Sequence, residues 1–134
     1  MLRTIQYSFP SKADGLEISC LAVVPELERN EKYRGIIQIV HGMSEYKERY
    51  IPFMEYMAER KYISVIHDHR GHGKSVRSKE DLGYMYGGGA DAMLQDMHTV
   101  NCLIKDHFPG IPLILFGHSM GSLAVRAYAA HHDS

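Results

Sequence analysis

The sequence predicts an α/β domain built on a mainly parallel β-sheet. Two continuous apolar runs, Gly35–Val40 and Tyr62–His67, have the length and β-branched content of strands buried on both faces. A third run, residues 111–116, ends in Gly117-His118-Ser119-Met120-Gly121 and passes at once into a helix-forming stretch over residues 123–130. Segments with helical spacing lie between these runs. Strands and helices therefore alternate with short connections, the pattern of a parallel sheet with right-handed crossovers.

Taken in order, residues 4–9 and 16–24 read as two short strands joined through Lys12-Ala13-Asp14-Gly15, an Asp-Gly turn. Residues 25–33 form a charged connection to the first buried strand. That strand ends in His41-Gly42-Met43-Ser44, and residues 45–50 read as a polar loop. Pro52 suits a first helical position, and Ile51, Met54, Met57 and Ala58 recur at helical spacing as far as Arg60. After the 62–67 strand, residues 68–89 are rich in Gly, Ser and charge and read as a long surface loop. Asp91 is placed as the N-cap of the next helix, whose apolar stripe runs through Leu94, Met97, Val100 (or Asn101) and Ile104. Pro109-Gly110 stops that helix. No repeat or low-complexity segment interrupts the order.

A chain of 134 residues is enough for one modest domain. With 15 basic and 16 acidic residues its charge is balanced, which gives no footprint for nucleic acid or an acidic lipid surface. Cys20 and Cys102 match no metal or redox spacing and, set among apolar residues, read as buried free thiols. The first residues lack the apolar core of a signal peptide, and no apolar run approaches membrane-span length. These features lead us to expect a soluble, cytoplasmic protein.

In sheets of this kind reactive groups gather at the carboxyl ends of the strands. All three glycine-containing motifs fall there: His41-Gly42, residues 68–75, and Gly117 to Gly121. The last is a G-x-S-x-G pattern between strand and helix, the context of a nucleophile elbow. A serine hydroxyl reacts only when presented bare to a base and a carbonyl, so a tight turn suits Ser119. Gly117 and Gly121 let the two backbones approach where a Cβ would clash. The Met120 amide can point at a developing oxyanion, and the Met43 amide, after the turn at Gly42, is the second such donor. The competing readings are a helix start with Ser119 as an ordinary N-cap, and a simple glycine turn at Gly42 beside a packed His41.

His67, His69 and His72 are the tempting metal set, but no Cys or Glu is spaced to complete it, so no metal is expected. The alternative is a structural turn in which Asp68 and Arg70 pair or cap backbone. A serine hydrolase also needs a histidine base and an orienting carboxylate. His131 lies roughly 18 Å down the helix that starts at the serine, out of reach of its proton. His118 is expected to pack beneath the elbow, and Asp91 and Asp96 to sit at a helix start. No residue of the chain is assigned as base or acid.

His41-Gly42-Met43-Ser44-Glu45 with Arg49-Tyr50, then Asp68-His69-Arg70-Gly71-His72-Gly73-Lys74-Ser75, then Gly117-His118-Ser119-Met120-Gly121-Ser122 together resemble the monoacylglycerol lipase and lysophospholipase branch of the α/β-hydrolases, a branch also labelled serine aminopeptidase. The resemblance implies that residues 1–134 form the N-terminal half of such a domain, ending just past the elbow helix. It implies Ser119 as nucleophile, oxyanion amides at Met43 and Met120, and supporting roles for His41, Gly42, Gly117, His118, Gly121 and the 68–75 turn. It implies cofactor-free cleavage of monoacylglycerol, lysophospholipid or other acyl esters through an acyl-enzyme. The catalytic Asp and His would then lie outside the chain, leaving it inactive alone, with the strand at 113–116 as an open apolar edge for self-association or a complementary C-terminal chain. Aminopeptidase-type chemistry, or a non-catalytic role through that edge, is the alternative.

Overall fold

The computed structural model describes residues 2–42, 45–76, 89–118 and 120–131. Five strands form one sheet: β1 (Leu2–Pro10), β2 (Glu17–Pro25), β3 (Gly35–Val40), β4 (Tyr62–His67) and β5 (Leu113–Gly117). Their spatial order is β1-β2-β4-β3-β5. β3 pairs in parallel with both β4 and β5, while β1 and β2 join as an antiparallel hairpin at one side. The α-helices are α1 (Ile51–Ala58), α2 (Gly89–His107) and α3 (Met120–His131).

Strands β3 and β4 have the predicted bounds, because continuous apolar runs leave no choice of which residues to bury. The hairpin is longer than its apolar residues suggest. Its register runs from Leu2 opposite Pro25 to Pro10 opposite Glu17, so backbone pairing extends past the apolar pattern. Gly15 adopts a φ of 78°, open to glycine at no steric cost, and the Asp14 carboxylate accepts the Leu16 N–H (3.1 Å) to close the turn.

Side chains alternate along β2. Ile18, Cys20, Ala22 and Val24 join a core layer with Ile36, Ile63, Val100 and Ile104, under α2. Leu21 and Val23 face the other way, with Ile37, Ile39, Met54, Ala58 and Ile66, under α1. A third cluster, Val40, Met93, Met97, Ala124 and Tyr128, seats α2 and α3 against the exit of β3. The one polar side chain inside β3, Gln38, is fully satisfied by α2. Its amide donates to the Met97 carbonyl (3.0 Å), and its oxygen accepts from the Asn101 side chain (3.0 Å).

Four expectations are corrected. Residues 45–50 include a short 3-10 turn (Lys47–Tyr50) in which Lys47 is buried, because its ammonium meets the Asp68 carboxylate (2.8 Å). α2 begins at Gly89, so Asp91 lies within the first turn rather than capping it. Asp96 is buried in mid-helix, paired with Arg70. Cys20 is buried but Cys102 is exposed, since it points away from the apolar stripe of α2.

Candidate active site

The sheet register is what assembles the site. Val40 of β3 lies opposite Gly117 of β5, so both strands deliver their exits to the same edge. β5 ends at Gly117 and α3 opens at Met120. The His118 N–H donates to the Val40 carbonyl (3.2 Å), and the Gly121 N–H donates to the His118 carbonyl (2.9 Å). Gly121 sits so close to β3 that an added Cβ would overlap the Val40 carbonyl oxygen and come within 2.8 Å of the His41 oxygen. The second glycine of the motif is thus dictated by the contact of α3 with the end of β3. Ser119, Met43 and Ser44 lie outside the described residues, as do residues 77–88 and 132–134; of Met120 the backbone opens α3.

Beneath the two exits lies a floor of buried polar groups. The His41 Nδ1–H donates to the Gly42 carbonyl (2.7 Å), and its Nε2 accepts the His69 N–H (3.0 Å). His69 answers through Nε2–H to the His41 carbonyl (3.0 Å). This reciprocal pair stitches the β3 exit to the β4 exit and fixes both tautomers. Burial holds His41 below the ordinary imidazole range, and burial with the neighbouring His67 and His41 does the same to His69 more strongly. His67, wholly buried, is pushed down to about 3 by that burial and then by His41. These rings are neutral at physiological pH.

Of the two readings of residues 68–75, a surface loop or a structural turn built on Asp68 and Arg70, the structure shows the second, and the turn is part of this floor. Asp68 accepts the Lys47 N–H (2.8 Å), the Lys47 ammonium (2.8 Å) and the Lys74 N–H (3.0 Å). Gly73, at a φ of 49°, packs where a Cβ would overlap that carboxylate. The buried Arg70 guanidinium reaches Asp96 (3.2 Å) and Asp14, tying the turn to α2 and the hairpin tip. The Ser75 hydroxyl oxygen accepts the Ser19 N–H (2.8 Å). Composition hid this burial, because each charge finds its partner far away in sequence. Among the described residues no group of three or more His, Cys, Asp or Glu side chains is arranged to hold a metal ion.

His118 departs from expectation. Its side chain is 62% exposed, and its Nδ1 lies 3.4 Å from Glu45 Oε1. The same oxygen accepts the Gly42 N–H (2.5 Å) and the Tyr50 hydroxyl (2.8 Å). Burial works to raise the Glu45 carboxyl, but the Gly42 N–H, Tyr50 and His118 together hold it below the ordinary carboxylate range. Tyr50 in turn is pushed up to about 12 by burial and by Glu45. Glu45 stands in the first motif of the family resemblance, but the sequence assigns it no role and its charge reads as part of a polar loop.

The chemical content of the arrangement is the end of β5 and the start of α3 in close contact with a neighbouring strand exit, over a floor of neutral imidazoles and buried ion pairs. Comparison with known proteins bears on its use. A sequence profile of the serine aminopeptidase (S33) hydrolases matches residues 31–134. A monoacylglycerol lipase of Mycolicibacterium smegmatis is 29% identical over 99 residues, covering 74% of this chain and 34% of that protein. Among solved structures, a thermostable carboxyl esterase of Bacillus coagulans, crystallised with glycerol, superposes with a TM-score of 0.87 at 32% identity, over 98% of this chain and 41% of that one. A soluble variant of the Saccharomyces cerevisiae monoglyceride lipase, bound to a substrate analog, gives 0.74 at 26% identity, over 95% and 39%. The chain spans about a third of the length of the curated relatives it matches.

Proposed function

Because the chain belongs to the serine aminopeptidase (S33) family of α/β-hydrolases, we propose that it carries the nucleophile of a carboxylic-ester hydrolase acting on monoacylglycerol- or lysophospholipid-type esters. Ser119 attacks the ester carbonyl while its proton passes to a histidine base. The carbonyl oxygen becomes an oxyanion, which the Met43 and Met120 amides receive. Collapse expels the alcohol, which takes up the proton, and leaves an acyl-serine that water hydrolyses to the free acid. The base and its carboxylate partner come from beyond residue 134, so the 134-residue chain is the N-terminal part of the catalytic domain and does not turn over esters by itself.

The observation that supports this reading is the seating of Gly121 on the carbonyls of Val40 and His41. It sets the start of α3, where the Met120 amide lies, against the strand exit that leads to Met43. Relatives named for monoglyceride ester cleavage favour lipid esters over aminoacyl substrates. No helix among the described residues is long and apolar enough to cross a membrane; the proposed enzyme meets its esters from the cytoplasm. An organophosphonate probe labels Ser119 in the protein with its complete reading frame, and Ser119→Ala abolishes both labelling and ester turnover. Labelling that survives the substitution refutes the assignment. A panel of acyl esters against aminoacyl amides separates esterase from aminopeptidase chemistry.

One observation favours a further role for the isolated chain. Among the described residues β5 ends the sheet, and its Ile114 and Phe116 are exposed. An open apolar edge of this kind pairs with another strand, from a second copy or from the C-terminal part of the domain. Gel filtration of the chain over a concentration series checks this: association rises with concentration, whereas a monomer throughout excludes self-pairing.

A further inference from the structure

Glu45 accepts hydrogen bonds from both sides of the candidate site. One carboxylate oxygen, Oε1, collects the Gly42 N–H (2.5 Å) from the β3 exit, the Tyr50 hydroxyl (2.8 Å) from the head of α1, and the His118 ring (3.4 Å) from the β5 exit. A second tie, from the Glu45 N–H to the Gly42 carbonyl (3.3 Å), closes the same segment on itself. The carboxylate is mostly shielded, with 16% of its side chain exposed, so its bonds from Gly42 and Tyr50 are screened little by water, while the His118 ring meets it from the solvent side. Side-chain entropy opposes collecting three donors on one oxygen, and these come from three separate places in the fold.

From this juxtaposition we propose that Glu45 is a positioning residue for ester hydrolysis, holding the β3 exit and the β5 exit at a fixed separation. The inference rests on the hydrolase reading above. Its chemical content is twofold. The Gly42 amide is engaged by Glu45 and is not a donor for an oxyanion, which leaves that role to the next amide in the chain. The residue before the nucleophile is held by the same carboxylate, so the nucleophile and the oxyanion donor are referenced to one atom. Oxyanion stabilisation depends on donors fixed before the charge develops, so a loosened reference costs rate at the chemical step rather than substrate affinity.

The test uses the protein with its complete reading frame and p-nitrophenyl acyl esters. Glu45→Ala lowers kcat by about 100-fold while KM stays within about twofold, the size of effect that follows from misplacing a reacting group by an ångström. Glu45→Gln keeps the accepting oxygen for Gly42 and Tyr50, and returns kcat to within about tenfold of the parent. An unchanged kcat in Glu45→Ala, equal losses in the Ala and Gln variants, or a raised KM with kcat intact each overturns the proposal. If both variants fail to fold, Tyr50→Phe removes one of the three donors and lowers kcat about threefold; parental kcat there overturns the proposal as well. Ser119→Ala run in parallel separates the two levels. Turnover that survives it defeats the hydrolase reading, whereas a dead Ser119→Ala beside a fully active Glu45→Ala defeats only the role of Glu45.

Discussion

Replacing Gly121 with alanine isolates the contact on which the candidate site is built. The new Cβ would sit 2.8 Å from the His41 carbonyl oxygen and the Val40 carbonyl carbon, and deeper still into the Val40 oxygen. Both obstacles are backbone at the end of a buried strand, so neither can rotate aside, and α3 must move off the β3 exit by about 1 Å. Overpacking of that kind costs typically about 1–3 kcal/mol, and rigid carbonyls put this case near about 3. Against that stand helix propensity and the lower entropy of the unfolded alanine chain, together about 1 kcal/mol in favour of the variant. The net is a loss of about 2 kcal/mol, or about 6–8 °C in Tm for a domain of this size. Thermal unfolding followed by far-ultraviolet circular dichroism reads it directly. In the complete hydrolase the loss of kcat exceeds what the stability change accounts for, since the elbow itself has shifted. A Tm equal to or above that of the parent refutes the reasoning, because it shows that the strand exit yields where the geometry says it cannot.

Further outcomes follow from the buried charges and thiols. Lys47→Met leaves the Asp68 carboxylate buried without its cation and destabilises by about 3–5 kcal/mol in urea unfolding; adding Asp68→Asn recovers part of the loss, and no recovery counts against the pairing. His41, His67 and His69 have folded values depressed below the unfolded one, so the unfolded chain binds more protons as pH falls. Stability is therefore fully present above about pH 6.5 and declines below it, by about 2 kcal/mol from His67 alone between pH 6.5 and 5.0. Urea midpoints that stay flat from pH 7.5 to 5.0 contradict this. Cys20, pushed up to about 12 by burial, is alkylated by iodoacetamide only after denaturation, while the exposed Cys102 reacts in the native protein. Peptide mass spectrometry distinguishes the two, and native labelling of Cys20 contradicts the packing.

The strands were readable where local composition and tertiary fate agree. Gly35–Val40 and Tyr62–His67 are predominantly apolar and are buried throughout their central residues, so length and β-branching placed them to the residue. The stripe of Met97, Val100 and Ile104 was equally legible, since helical spacing maps directly onto the buried face of α2. Cys102 was misjudged because two residues along a helix turn it about 200° from Val100, which puts it on the outer face. His118 was expected beneath the elbow, but it lies past the end of β5 at Gly117, where its ring turns outward to Glu45. The partners of Lys47, Asp68 and Arg70 were illegible for a different reason. A charged, glycine-rich segment reads as solvated, and only the fold brings Asp68 to Lys47 and Arg70 to Asp14 and Asp96. The glycines of the elbow were legible as a motif with a role; Glu45 stood in a motif too, but no periodicity or spacing revealed its contacts with Gly42, Tyr50 and His118.

The strand order has a consequence for synthesis. β3 lies between β4 and β5, and its partner on the second side, Leu113 opposite Ile36, is about 77 residues further along the chain. At a ribosomal rate of about 5–20 residues per second, the free side of β3 waits roughly 4–15 s for that partner to emerge. During that interval the nascent polypeptide holds a hairpin, β3, α1 and β4, with one bare flank rich in isoleucine. The arrival of β5 is the event that covers it.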